Sequence, residues 1–140
     1  MQVLMASVLL VLLGGCASPP TSIQEADPVP ADELYAFQSK LLGKSGKLSV
    51  VRDSGFVGSG CDVVVYIDGL RAAKVGPGQI ASFYLAAGRP NLGVGLAETG
   101  LCTGMAVRSI TADVRVNQEV FYRISGDMSG AHIGPYIDYK

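Results

Sequence analysis

Residues 61–85 read CDVVVYIDGLRAAKVGPGQIASFYL. In 61–67, Cys61, Val63, Val65 and Ile67 alternate with Asp62, Val64 and Tyr66, the period-two pattern of a strand with one face inward. Asp68-Gly69 follows, a pair suited to a type I′ hairpin turn, whose two central residues both take positive φ. Residues 70–75 return, Gly76-Pro77-Gly78 makes the next turn, and 79–85 run out again. Three short strands joined by two tight turns predict an all-β fold.

The pattern continues on both sides. Upstream, 47–52 (KLSVVR) read as a strand and are followed by the glycine-rich loop GFVGSG. Downstream, AAGRP turns into 91–98, where Leu92, Val94 and Leu96 form one face and Gly93, Gly95 and Ala97 the other. That bare face implies that something large packs close on it, such as an aromatic from a neighbouring strand. Residues 105–116 read as a long strand with Ile110, Ala112, Val114 and Val116 on one side and a bulge or bend near Val107-Arg108. Asn117-Gln118 turns into 119–125, where Val120, Tyr122 and Ile124 alternate. Gly134-Pro135 confines the tail, 131–139, to an edge. Seven or eight short strands with regular turn signals predict a small antiparallel β-sandwich. The 18 glycines, roughly double average usage, suit many tight turns.

Ahead of the strands, residues 17–30 (ASPPTSIQEADPVP) carry four prolines and read as an extended tether that joins neither helix nor sheet. Residues 31–43 predict a short helix. Asp32 caps it, Glu33 and Lys40 suit its two ends, Gly43 closes it, and Leu34, Phe37 and Leu41 share a face.

The N-terminus supplies an address. Residues 3–13 (VLMASVLLVLL) are followed by Gly14, Gly15 and Cys16. Eleven apolar residues cover only about 16 Å of a roughly 30 Å hydrocarbon core, too little to span. A buried N-terminal helix is one reading of the run. The order of apolar block, small residues and cysteine resembles the lipobox of bacterial lipoprotein signal peptides. The resemblance implies a signal peptide over 1–15, an acylated Cys16 at the head of a flexible tether over 16–30, and one exported domain over 31–140. The chain would then be a partner of the membrane through its lipid. Ala17 after the cysteine implies the periplasmic face of the outer membrane.

Three cysteines leave one over. With Cys16 given to the lipid, Cys61 and Cys102 are expected to pair in an oxidising compartment. Closing a loop of about 40 residues stabilises by roughly 4 kcal/mol in the chain-entropy model. The alternative is two free or metal-binding thiols, but their spacing does not suit a zinc site and the single histidine lies far downstream.

A second resemblance lies in residues 61–96. Ile67-Asp68-Gly69, Gly76-Pro77-Gly78 and Ala87-Gly88 stand in an order similar to that of PEGA-like domains of bacterial envelope proteins. It implies a transthyretin-like sandwich used for binding or display, with no shared catalytic residues.

Candidate chemistry is sparse. Gly43-Lys44-Ser45 resembles the end of a phosphate-binding loop, but Gln38 stands where the earlier glycine belongs. GFVGSG offers backbone N–H groups to an anion, or simply a bend. Ser-His-Asp catalysis would have to use His132, the one imidazole, which is expected to be exposed or locally bonded. Asp62 and Asp68 share a strand face, though the turn accounts for Asp68. Tyr66, Tyr84 and Tyr122 read as core or rim residues, or as a shelf for sugar or peptide. Eleven basic against twelve acidic residues leave no basic face for nucleic acid. The expected function is that of a non-catalytic accessory lipoprotein without cofactor, docking on another envelope protein. The alternative is a module recognising glycan or a cell-wall-active enzyme. An exposed apolar patch would favour the first, and a concave tyrosine-lined groove the second.

Overall fold

The computed structural model describes residues 20–54, 60–98, 100, 102–103, 105–127 and 129–138. Its elements are β1 (Asp27–Pro28), a 3₁₀ turn (Ala31–Glu33), β2 (Ser45–Arg52), β3 (Val63–Ile67), β4 (Leu70–Val75), β5 (Gln79–Ala86), β6 (Asn91–Leu96), β7 (Arg108–Thr111), β8 (Glu119–Asp127) and β9 (Gly130–Pro135). They form two sheets, β1-β5-β2-β8-β9 and β4-β3-β6-β7, stacked as a β-sandwich.

The period-two rows meet between the sheets. Leu48 and Val50 of β2, Ala81 and Phe83 of β5, and Tyr122 and Ile124 of β8 face Val63, Val65 and Ile67 of β3 and Leu92 and Val94 of β6. At the end of its inward row β2 places Arg52, fully buried, whose Nη1 donates to the Val75 carbonyl at 2.8 Å. Burial pushes this guanidinium down to about 10, against the nearby charge of Asp62. The hairpin forms as expected, with φ of 48° at Asp68 and 81° at Gly69, and β9 is an edge strand. Cys61 and Cys102 are bonded, with Cα atoms 5.6 Å apart.

The bare face of β6 is explained by its cover. A Cβ on Gly93 would lie 3.1 Å from Val107 Cγ1, and one on Gly95 would lie 3.0 Å from Val107 Cγ2 and 3.6 Å from Tyr66 Cε2. The expected aromatic is there, but the closer neighbour is Val107.

Four expectations are corrected. The sandwich has nine strands among the described residues, not seven or eight, and is not wholly antiparallel, because β2 runs parallel to β8 and β1 parallel to β5. The long strand over 105–116 is only β7, with an isolated bridge from Val114 to Gly88 beyond it. Val107, just ahead of β7, lies instead over the glycine face of β6, and Met105 lies against Gly130 and Ala131 of β9.

The helix over 31–43 is the third. Only Ala31–Glu33 form a helical turn, and the rest is an irregular arm, with a left-handed φ of 61° at Phe37, that bridges β4 and β5. Tyr35 N–H donates to the Ala72 carbonyl at the edge of β4, and the Phe37 carbonyl accepts from Tyr84 N–H of β5. Leu34 and Phe37 still pack on the core. A short isolated helix is marginal in water, whereas two unpaired sheet edges offer hydrogen bonds at once.

The fourth concerns the segment read as a free tether. Asp27–Pro28 add to β5 as a short parallel strand, Val29 is buried, and Thr21 is pinned beside Asp53. Proline donates no N–H, but a sheet edge needs only the donors of its neighbours: Asp27 and Val29 donate to Gly78 and Ile80.

Candidate functional site

Strand β2 gives the sandwich two ends. Its Ser45 end, the tip, also carries the Asp68-Gly69 hairpin, Pro90 and the 115–118 turn, since Ser45 pairs with Ala86 and its carbonyl accepts from Asn117 N–H. Its Arg52 end, the base, carries Asp53, Ser54, Gly78 and the β8–β9 hairpin, and Gly78 N–H donates to Arg52.

The tip is built around the arm. Gln38 Nε2 donates to the Ser82 carbonyl at 3.0 Å, and Ala87 N–H donates to Lys44 at 3.0 Å. Between these anchors residues 40–43 stand away from β5. Leu42 is fully exposed there and Leu41 is half exposed. Leu70, just past the hairpin, and Val116, in the next turn, are exposed at the same end. A pocket of about 380 Å³ lies on one side of Leu41, lined by Lys40, Lys47, Tyr84, Asn117, Gln118 and Glu119 among others. One of about 420 Å³ lies on the other, lined by Phe37, Gln38, Tyr84, Asp68 and Pro90 among others. Leu41 and Tyr84 belong to both. Glu119 is positioned by Lys47 at 3.5 Å and by the Ser49 hydroxyl at 2.7 Å.

A third depression, about 420 Å³, lies on the outer face of the four-stranded sheet between Tyr35, Tyr66 and Val107. Its rim is a charge chain. Lys74 Nζ lies 2.8 Å from Glu33 and 3.9 Å from Asp62, the Tyr35 hydroxyl donates to Glu33 at 2.6 Å, and Arg71 sits 5.3 Å from the centre of the Tyr35 ring. The Lys74 and Tyr35 hydrogen bonds hold the Glu33 carboxyl below its usual range, and Glu33 in turn raises Lys74 and Tyr35. These charges already satisfy one another.

The fold separates most of the residues singled out in the sequence. Asp62 and Asp68 sit at opposite ends of β3, and Asp68 accepts from Asn91 N–H at 2.9 Å, so they form no carboxylate pair. Tyr66 covers Gly95, Tyr84 lines the tip, and Tyr122 is buried with its oxygen accepting from Asp113 N–H. The three make no common shelf. Lys44-Ser45 lead into β2 with no helix to follow. Cys16 and residues 55–59 of the glycine-rich loop lie outside the described residues.

His132 does acquire neighbours. Asp127 Oδ2 lies 3.1 Å and the Ser129 hydroxyl 3.2 Å from the same atom, Nε2, and Arg108 Nη1 lies 2.9 Å from the ring. The Ser129 hydroxyl and N–H both donate to Asp127, at 2.6 and 2.7 Å. Those bonds and His132 hold the Asp127 carboxyl well below the usual carboxylate range. Base-assisted attack needs the hydroxyl proton aimed at the imidazole, with the carboxylate on the other ring nitrogen. Here the proton goes to the carboxylate, and both groups crowd one nitrogen. The cluster fastens the hairpin to β7, where Arg108 Nη2 also donates to the Ser129 carbonyl.

Among the described residues no three His, Cys, Asp or Glu side chains group to hold a metal ion, and no helix is long and apolar enough to cross a membrane. Compared with known proteins, the chain matches no family model, no curated protein and no solved structure.

The apolar tip escaped the sequence reading. Its signal was the pair Leu41-Leu42 before Gly43, which fits a helix face equally well.

Proposed function

We propose that the chain is an exported lipoprotein, anchored through Cys16 at the periplasmic face of the outer membrane, that docks its tip on another envelope protein and turns over no substrate. The observation that carries this reading is the tip itself. A fully exposed Leu42 follows Leu41, which with Tyr84 lines two pockets, and Leu70 and Val116 are exposed at the same end of the sandwich. Exposed aliphatic side chains around such pockets are the makeup of a protein contact. The disulfide supports export into an oxidising compartment. The arrangement of His132 supports binding over catalysis. Kinship with PEGA-like domains is part of the proposal and draws on the Asp68-Gly69 hairpin and the Gly76–Gly78 turn.

The test is complementation of a deletion strain. Leu42→Asp should leave an exported, stable protein that no longer restores the phenotype, while His132→Ala should restore it. The reverse pair of results would overturn the reading.

A second reading, recognition of glycan, draws on the polar pocket beside Leu41. Asn117 and Gln118 there offer amides, and Tyr84 a ring face, close to the Lys47–Glu119 pair. Protection of Tyr84 from chemical modification by soluble wall saccharides would support it.

A further inference from the structure

We infer that the base of the sandwich faces the bilayer, so that the tip is held pointing away from it within a fixed, short reach of the lipid. The inference rests on the proposal that Cys16 carries the anchor.

The observation is how early the chain becomes fixed. Thr21 makes three hydrogen bonds to two separate segments, residues 53–54 and Tyr136. Its N–H donates to Asp53 Oδ1 at 3.1 Å, its hydroxyl accepts from Ser54 N–H at 3.2 Å, and its carbonyl accepts from the Tyr136 hydroxyl at 3.5 Å. Asp53 is buried and is itself held by Arg123, whose Nε lies 2.9 Å from both carboxylate oxygens. Beyond Thr21, β1 binds the chain to β5.

Five residue steps separate Cys16 from Thr21, and a fully extended chain covers at most about 18 Å in that number. A tether of 15 residues, all free, would reach roughly three times as far and leave orientation open. With the leash fastened at Asp53 and Ser54, the base stays within about 18 Å of the lipid. The eight residues of β2 set the tip about 26 Å further out. The docking surface thus stands within about 45 Å of the lipid. Its partner is a protein that presents its matching surface in that layer, one embedded in or attached to the same membrane.

The test uses the purified full-length lipoprotein in vesicles of phosphatidylethanolamine and phosphatidylglycerol carrying an acceptor dye on the headgroup. Ser54→Cys places a donor at the base and Leu42→Cys one at the tip, on either side of β2. With Cys16 acylated and Cys61–Cys102 bonded, each introduced thiol is the free one. Energy transfer from position 54 should exceed that from position 42 about twofold or more, given the strand length between them. Inserting ten Gly/Ser residues between Pro20 and Thr21 should bring the two close to equality. Equal transfer in vesicles that do hold the uninserted protein would overturn the orientation and leave the anchor standing. A protein that fails to float with vesicles would overturn the anchor, and the orientation with it.

Discussion

The backbone N–H of Thr21 donates to the buried carboxylate of Asp53 at 3.1 Å, across 32 residues of chain. Asp53 thereby serves two partners, the incoming segment on one side and Arg123 of β8 on the other. Removing it takes away the carboxylate that Thr21 and Arg123 share and leaves Thr21 held only through Ser54 and Tyr136. Asp53→Ala should therefore cost about 3 kcal/mol, read from the urea midpoint. It should also open the bond between residues 20 and 21 to proteolysis. Unchanged stability and unchanged resistance to protease would show that the pin carries no weight.

The Cys61–Cys102 bond closes a separation of 41 residues. Reducing it, or replacing both cysteines with Ala, should lower stability by roughly 4 kcal/mol in the chain-entropy model. Denaturation with and without reductant measures this. A difference below about 1 kcal/mol would mean that the unfolded chain is constrained by other means.

Gly95 tests how closely residue 107 is packed. An added methyl would meet Val107 Cγ2 at 3.0 Å, so Gly95→Ala should destabilise by about 1–2 kcal/mol through overpacking. Val107→Ala in the same chain should recover much of that loss. Additive effects in this double-mutant cycle would contradict the contact.

Acid provides a separate probe of the β8–β9 hairpin. Asp127 has its carboxyl lowered first by the Ser129 hydroxyl and then by His132. A carboxyl depressed in the folded state contributes stability above its unfolded pKa. That contribution fades as pH falls through the usual carboxylate range towards the folded value. Asp127→Asn should flatten the acid limb of the stability profile and leave neutral stability lower. An identical acid limb in the variant would contradict the assignment. The carboxyl resonance of Asp127, followed by NMR, should still report an ionised group at pH 3.

The strands were readable because each carries its own two-residue period and its own turn, as at Ile67-Asp68-Gly69-Leu70. The disulfide was readable from cysteine arithmetic once Cys16 was set aside for the lipid that the lipobox resemblance implies. The arm was not, because Leu34 and Phe37 have a spacing that suits either a helix or a strip laid on the core. What decides is the presence of two bare sheet edges, at Ala72 and Tyr84, which only the assembled fold supplies. The parallel pairing of Lys47–Arg52 with Glu119–Ile124 joins segments more than 70 residues apart, and no local pattern encodes it. For the same reason the tip was invisible. Leu41 and Tyr84 come from separate stretches and line common pockets only after folding, and Leu70 and Val116 reach the same end of the sandwich only then.

The central claim is that the tip is the working surface, and photocrosslinking in growing cells tests it most directly. A photoreactive residue replaces Leu42 at the tip, Ser54 at the base or Arg71 beside the tyrosine groove, each in the full-length protein at native expression. Leu42 is fully exposed, so its replacement should change stability by less than about 0.5 kcal/mol. Position 42 should give one dominant adduct with a membrane-attached envelope protein, and Leu70→Glu in the same chain should abolish it. Adducts of equal yield from all three positions, or a dominant adduct from position 71 with none from 42, would contradict the account.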